Sequence, residues 1–228
     1  MSAAGAIVDK FLTRIAQLSE YHRELLQTVA GKKRQIALEE MLSEQFVLNL
    51  AVLWEAFLSD LLIAYVVDDP KTTLKDLRER IGQSLKGNYG AEAESMTKFR
   101  MPRSLTRARA RLLVDPKSFN VTAHSAEKLA ERANKLLSGK YAKRFTLSAE
   151  DAQFFNYFVA VRNYLGHRSP ASRQALKQTE KALTGKNAGL RGNLKNIGAY
   201  LRQTPTPGAE RRSALVAGRV REITALLV

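Results

Sequence analysis

The 228-residue chain contains no cysteine, which excludes a disulfide framework and any thiolate metal site, and suits a reducing compartment. Histidine is nearly as scarce. Only His22, His124 and His167 occur, and none lies near another, so no histidine metal cluster is expected. Gly-rich phosphate loops, a His-Glu-x-x-His helix and a Gly-x-Ser-x-Gly elbow are all missing. The expectation is therefore no cofactor and no metal. Uninterrupted apolar runs are also lacking. The longest, residues 46–67, is broken by Asn49, Glu55, Ser59 and Asp60. Charges at bilayer depth are costly, so the run reads as a buried core helix rather than a membrane span. The opening MSAAGAIVDKFLTRIAQ places Asp9 and Lys10 where a signal peptide keeps an apolar stretch. A soluble, cytoplasmic chain with no membrane partner is expected.

Charge of one sign is plentiful. The chain holds 37 Lys and Arg against 22 Asp and Glu, a formal net charge of +15. Residues 1–70 carry 6 basic and 10 acidic side chains, whereas residues 71–228 carry 31 and 12. Such asymmetry points to a polyanionic partner, with nucleic acid ahead of a membrane surface. With 45% apolar residues the chain also has enough to bury a core.

Helical periodicity dominates, and few stretches alternate as strands do. Ile7, Phe11, Ile15, Leu18, Leu25 and Val29 keep one face of a first helix that ends near Gly31. A longer helix over 34–67 stops before Pro70, because the residue preceding proline avoids helical geometry. Further helices are predicted over 73–85, with Asp76 in its first turn, and over 104–114, closed by Asp115-Pro116. Ser125 caps a helix to about residue 137. Ser148, with Asp151 three residues on, opens a helix over 149–165 that Gly166 ends. Ser169-Pro170 starts the next at once, running to about residue 183. Two more are predicted, over 190–202 and 210–227, on either side of the Thr204-Pro-Thr-Pro-Gly turn. The expected fold is all-α: a single helical bundle with long early helices over residues 1–203. The turn and basic helix of residues 204–228 are packed on it or loosely attached.

The informative stretch runs from Phe154 to Ser169. Phe155, Phe158, Arg162 and Leu165 share one helix face, so Arg162 interrupts an apolar stripe. A guanidinium there must snorkel, pair with an acid or face an anion-binding cleft. His167 follows Gly166. Five positions on an unbroken helix would leave Arg162 and His167 about 140° apart, so their convergence depends on a break at Gly166.

Arg162-Asn163-x-x-x-His167 resembles the Arg-x4–6-His signature of the HEPN superfamily, including the polar residue after the arginine. The motif ends an apolar helix and abuts a capped one, as in HEPN domains. The early Leu53-Trp54-Glu55-Ala56-Phe57-Leu58 segment is similar to the long first helices of larger groups such as the RiboL-PSP-like one. The resemblance spans about residues 7–200. It implies a helical bundle that forms a homodimer and brings two Arg/His pairs into one cleft. It also implies a metal-independent endoribonuclease, often a toxin or an antiphage effector with an antitoxin or defence-system partner. In that chemistry the His167 imidazole, when neutral, takes the ribose 2′-OH proton or, when protonated, gives a proton to the leaving 5′-oxygen. Arg162 neutralises charge on the non-bridging phosphate oxygens, leaving a 2′,3′-cyclic phosphate and a 5′-OH. Asn163 would orient a phosphate or satisfy helix-end carbonyls. Glu55 matches an acidic position of the early helix, where it either pairs with Arg162 or positions His167. Some members carry a modifiable tyrosine two positions after the histidine. Here that residue is Ser169, which argues against silencing by that route.

For RNA binding, the run from Lys98 to Arg111 passes six cations before the first acid, Asp115. Arg103, Arg107 and Arg111 recur every four residues, and with Arg109 and Arg168 they are the expected contacts to an RNA backbone. Residues 171–228, with 11 basic and 3 acidic side chains, are a second candidate surface. The alternative to an enzyme is a non-catalytic helical nucleic-acid-binding or scaffold protein, or an antitoxin-like partner of the same fold.

Overall fold

A computed structural model describes residues 2–97, 100–115, 120 and 123–228 of the chain. Lys98, at the head of the basic run, and Pro116 lie outside them. Among the described residues the fold is all-α, with no strand.

Helix α1 (Ala3–Val29) begins earlier than its apolar face predicts, because the Ser2 hydroxyl accepts the Gly5 N–H at 3.1 Å. It ends in a tight turn at Gly31, whose φ of +74° suits glycine. Helix α2 (Gln35–Asp68) folds back along it. Val8, Phe11 and Ile15 of α1 are buried on α2, with the Phe11 and Phe57 rings stacked at 4.3 Å. Burying each such side chain contributes about 2 kcal/mol.

α2 is the axis of the bundle, packing against α1 and several later helices. Leu61 to Val66 are consecutively buried, which a helix achieves only when neighbours surround it. By length and composition α2 could cross a membrane, but its most apolar stretch is 67% buried inside the protein.

Asp69-Pro70 ends α2, and α3 (Lys71–Tyr89) follows directly. Because α3 starts at Lys71, Asp76 falls beyond its first turn. It pairs with Arg80 at 2.7 Å rather than facing the helix dipole. Helix α4 (Ala91–Met96) is short. Helix α5 (Arg107–Val114) starts three residues later than predicted, at the Thr106 cap, so Arg103 precedes the helix instead of continuing its stripe. Ser125 caps α6 (Ala126–Leu136) as expected. α7 (Gly139–Ala142) runs into a 3-10 turn at Lys143–Phe145 that periodicity did not reveal.

Helix α8 (Ala149–His167) is capped by Ser148, and α9 (Pro170–Lys181) by Ser169. The single helix predicted over 190–202 is instead a 3-10 turn (Gly185–Leu190), a loop and α10 (Ile197–Arg202). Asparagine side chains take over the backbone there. Asn193 Oδ1 accepts the Lys195 N–H, and Asn196 Oδ1 accepts those of Gly198 and Ala199.

Helix α11 (Arg212–Leu226) is not loosely attached. Val216, Ala217, Val220 and Ile223 are buried in the common core, and the Tyr65 hydroxyl donates to the Leu227 carbonyl at 2.6 Å. Arg219, its side chain only 7% exposed, reaches Asp151 of α8 at 2.6 Å.

Candidate functional site

The Ser148 hydroxyl starts α8 by accepting the Asp151 N–H at 3.2 Å, and it donates to the Asp151 carboxylate at 2.6 Å. Phe154, Phe155, Phe158, Val161 and Leu165 then bury the helix against its neighbours. Arg162 occupies the margin of that apolar face, its side chain 31% exposed. Of the three fates open to such a guanidinium, it pairs with an acid. Nε lies 3.1 Å from Glu55 Oε1, and Nη2 donates to Glu55 Oε2 at 3.2 Å, a two-point grip between α8 and α2. Nη1 donates to Asn163 Oδ1 at 3.2 Å, so Asn163 supports the arginine rather than the end of the helix.

Beside the pair is a crevice of about 20 Å³, lined by Trp54, Glu55, Phe158 and Arg162. It has room for one water. The buried Trp54 Nε1 has no hydrogen-bond partner among the described residues.

His167 does not converge on Arg162 in one chain. Gly166 stays helical, and α8 continues through His167 to end at Arg168, which takes the left-handed conformation at φ +51°. The two side chains therefore project about 140° apart. Arg168 tolerates this strained backbone with its guanidinium ion-paired to Glu44 and 5.4 Å from the Tyr164 ring centre. The His167 side chain is exposed and has no partner among the described residues.

The expected RNA contacts are divided. Arg107 and Arg111 both grip Asp60 Oδ1, at 2.9 and 2.7 Å, and Arg168 is held by Glu44. Asp60 was the missed partner. An acid inside a buried helix needs a cation, and its place in the apolar run was the available signal. Arg103 and Arg109 keep free guanidiniums among the described residues. With Arg100 they line an open basin of about 890 Å³. Asp60 and Glu55 lie five residues apart on α2, hence about 140° apart around it. Within one chain the arginines of α5 and Arg162 thus attach to different flanks of α2.

Part of the second basic surface is tied into the fold. Arg202 and Arg211 pair with the buried Glu39 at 3.6 and 3.1 Å, and Arg212 donates to the Arg191 carbonyl at 2.8 Å. Burial is the largest influence on the Glu39 carboxyl and pushes it up, but the Gln35 amide with Arg211 and Arg202 holds it below its ordinary range. Asp151 behaves likewise: burial raises it, while Ser148 and Arg219 together lower it further. Among the described residues no three His, Asp or Glu side chains gather as a metal site would need. No protein-family model matches the chain, and no curated protein or solved structure is significantly similar to it.

Proposed function

We propose that the chain is a metal-independent endoribonuclease of the HEPN type, acting in toxicity or antiphage defence beside an antitoxin or defence-system partner. The observation that carries this reading is the arrangement of α8. A partly buried arginine, held at two points by Glu55, shares the helix with an exposed, unpartnered His167 in its last turn. Because the two side chains diverge, the reading requires a cleft shared across a homodimer, with Arg162 facing the partner subunit's His167. A two-fold axis supplies two of each residue. One imidazole takes the 2′-OH proton as that oxygen attacks phosphorus. That imidazolium returns the proton through water to the departing 5′-oxygen, while Arg162 stabilises the charge on the non-bridging oxygens, so each Arg162/His167 pair works by itself. Arg100, Arg103 and Arg109 would hold the RNA backbone outside the cleft.

The test is incubation of the purified chain with total RNA in excess chelator. Fragments ending in 2′,3′-cyclic phosphate and 5′-OH, abolished by Arg162→Ala and by His167→Ala, are expected. Full cleavage by either variant would overturn the assignment.

One observation favours a second reading. Arg162 is already satisfied by Glu55, as in a structural helix–helix pair, while the free arginines cluster elsewhere. A non-catalytic nucleic-acid-binding protein of this fold would bind RNA with steep salt dependence and yield no product.

A further inference from the structure

The outer side of the α1–α2 hairpin holds a groove of about 440 Å³ unrelated to Arg162 and His167. Its volume lies within the roughly 300–1,000 Å³ typical of small-molecule sites. The floor is apolar: Ile7, Phe11, Leu53 and Phe57 line it, and alanines at positions 3, 6 and 56 leave the space open. The rim is cationic. Lys10 and Arg14 lie one turn apart on α1 with no side-chain partner among the described residues, and Arg107 closes the opposite side. Two like charges four residues apart disfavour a helix, and no acid of α1 or α2 relieves them. Asp60, the acid on the rim, is already shared by Arg107 and Arg111.

We propose that this groove binds a small amphipathic anion, an aromatic or short aliphatic body carrying one carboxylate, sulfonate or phosphate. The body lies on Phe11, Leu53 and Phe57, and the head group is held by Lys10 and Arg14, while Arg107 stays paired with Asp60. The apolar floor excludes a bare inorganic ion as the preferred ligand, and the cationic rim disfavours a neutral hydrocarbon. The inference is independent of any RNA-cleaving activity.

The probe is 8-anilinonaphthalene-1-sulfonate, compared with N-phenyl-1-naphthylamine, the same ring system without the charge. The full chain is titrated with each dye by fluorescence. One saturable sulfonate site per chain is expected, with the neutral dye at least about tenfold weaker. The Lys10→Ala/Arg14→Ala variant changes exposed side chains only and is checked by its thermal melt. It should weaken the sulfonate dye about tenfold and leave the neutral dye unchanged. Ala6→Trp, at an exposed position on the groove wall, should block both dyes. No saturable binding, or sulfonate binding that survives both variants, would overturn the proposal.

Discussion

Arg162 and Glu55, 107 residues apart in the chain, meet in two contacts of 3.1 and 3.2 Å that tie α8 to α2. With the Glu55 side chain 20% exposed, the pair is partly shielded from water. Removing one partner leaves the other charge uncompensated, whereas removing both does not. Glu55→Ala should lower the unfolding free energy by about 2 kcal/mol. The double change Glu55→Leu/Arg162→Met should recover most of that loss. Urea denaturation of the variants checks both expectations.

His22 gives the fold a dependence on acid. It is 9% exposed, its ring stacks on Phe46 at 4.5 Å, and Nε2 has no hydrogen-bond partner among the described residues. Burial, with a smaller contribution from the Arg211 charge, lowers its pKa from 6.5 to about 4. The folded form is thus neutral where the unfolded form is protonated. The contribution is fully present above pH 6.5 and is lost as pH falls toward 4. The expected slope is about 1.4 kcal/mol per pH unit across that window. His22→Phe should flatten the slope and raise stability at pH 5, as read by thermal melts across the range.

Asp60 restrains two arginines that would otherwise be available to a polyanion. Asp60→Asn should steepen the salt dependence of single-stranded RNA binding by roughly one to two in log–log slope. Arg103→Ala/Arg109→Ala should lower it by a similar amount. Fluorescence anisotropy at several salt concentrations measures both. The surface ion pairs lost from Asp60 should cost under about 1 kcal/mol of stability.

The buried tyrosines of α8 and α10 form an ordered relay. Tyr200 donates to the Leu190 carbonyl, so at the 2.7 Å contact between the two hydroxyls Tyr157 is the donor. Tyr157→Phe removes one bond and leaves that of Tyr200 to Leu190 intact. Tyr200→Phe leaves a buried donor and a buried carbonyl unpaired. The first should cost about 1 kcal/mol and the second about 2–3 kcal/mol, by chemical denaturation.

Helix starts at Ser125, Ser148 and Ser169 were legible because capping is local: a hydroxyl and an N–H three residues on suffice. The stop at Pro70 was legible for the same reason. The end of α8 was not. Gly166 reads as a terminator, yet long-range contacts of Arg168 with Glu44 let the helix run to His167. The Asp60 clamp and the integration of α11 through Arg219 and Asp151 also depend on residues distant in sequence. Arg162 could be singled out as an apolar-face cation, but its grip by Glu55 and its divergence from His167 are properties of the assembled bundle.

That divergence makes one measurement decisive. Arg162→Ala and His167→Ala chains are mixed in equal amounts, unfolded and refolded together, and assayed on RNA in chelator. A cleft built from Arg162 of one protomer and His167 of its partner leaves each variant inactive alone. The mixture should then regain roughly a quarter of the wild-type sites, since half the dimers are mixed and each holds one intact pair. A mixture as inactive as its components, or wild-type protein that leaves no cyclic-phosphate ends, would contradict the account.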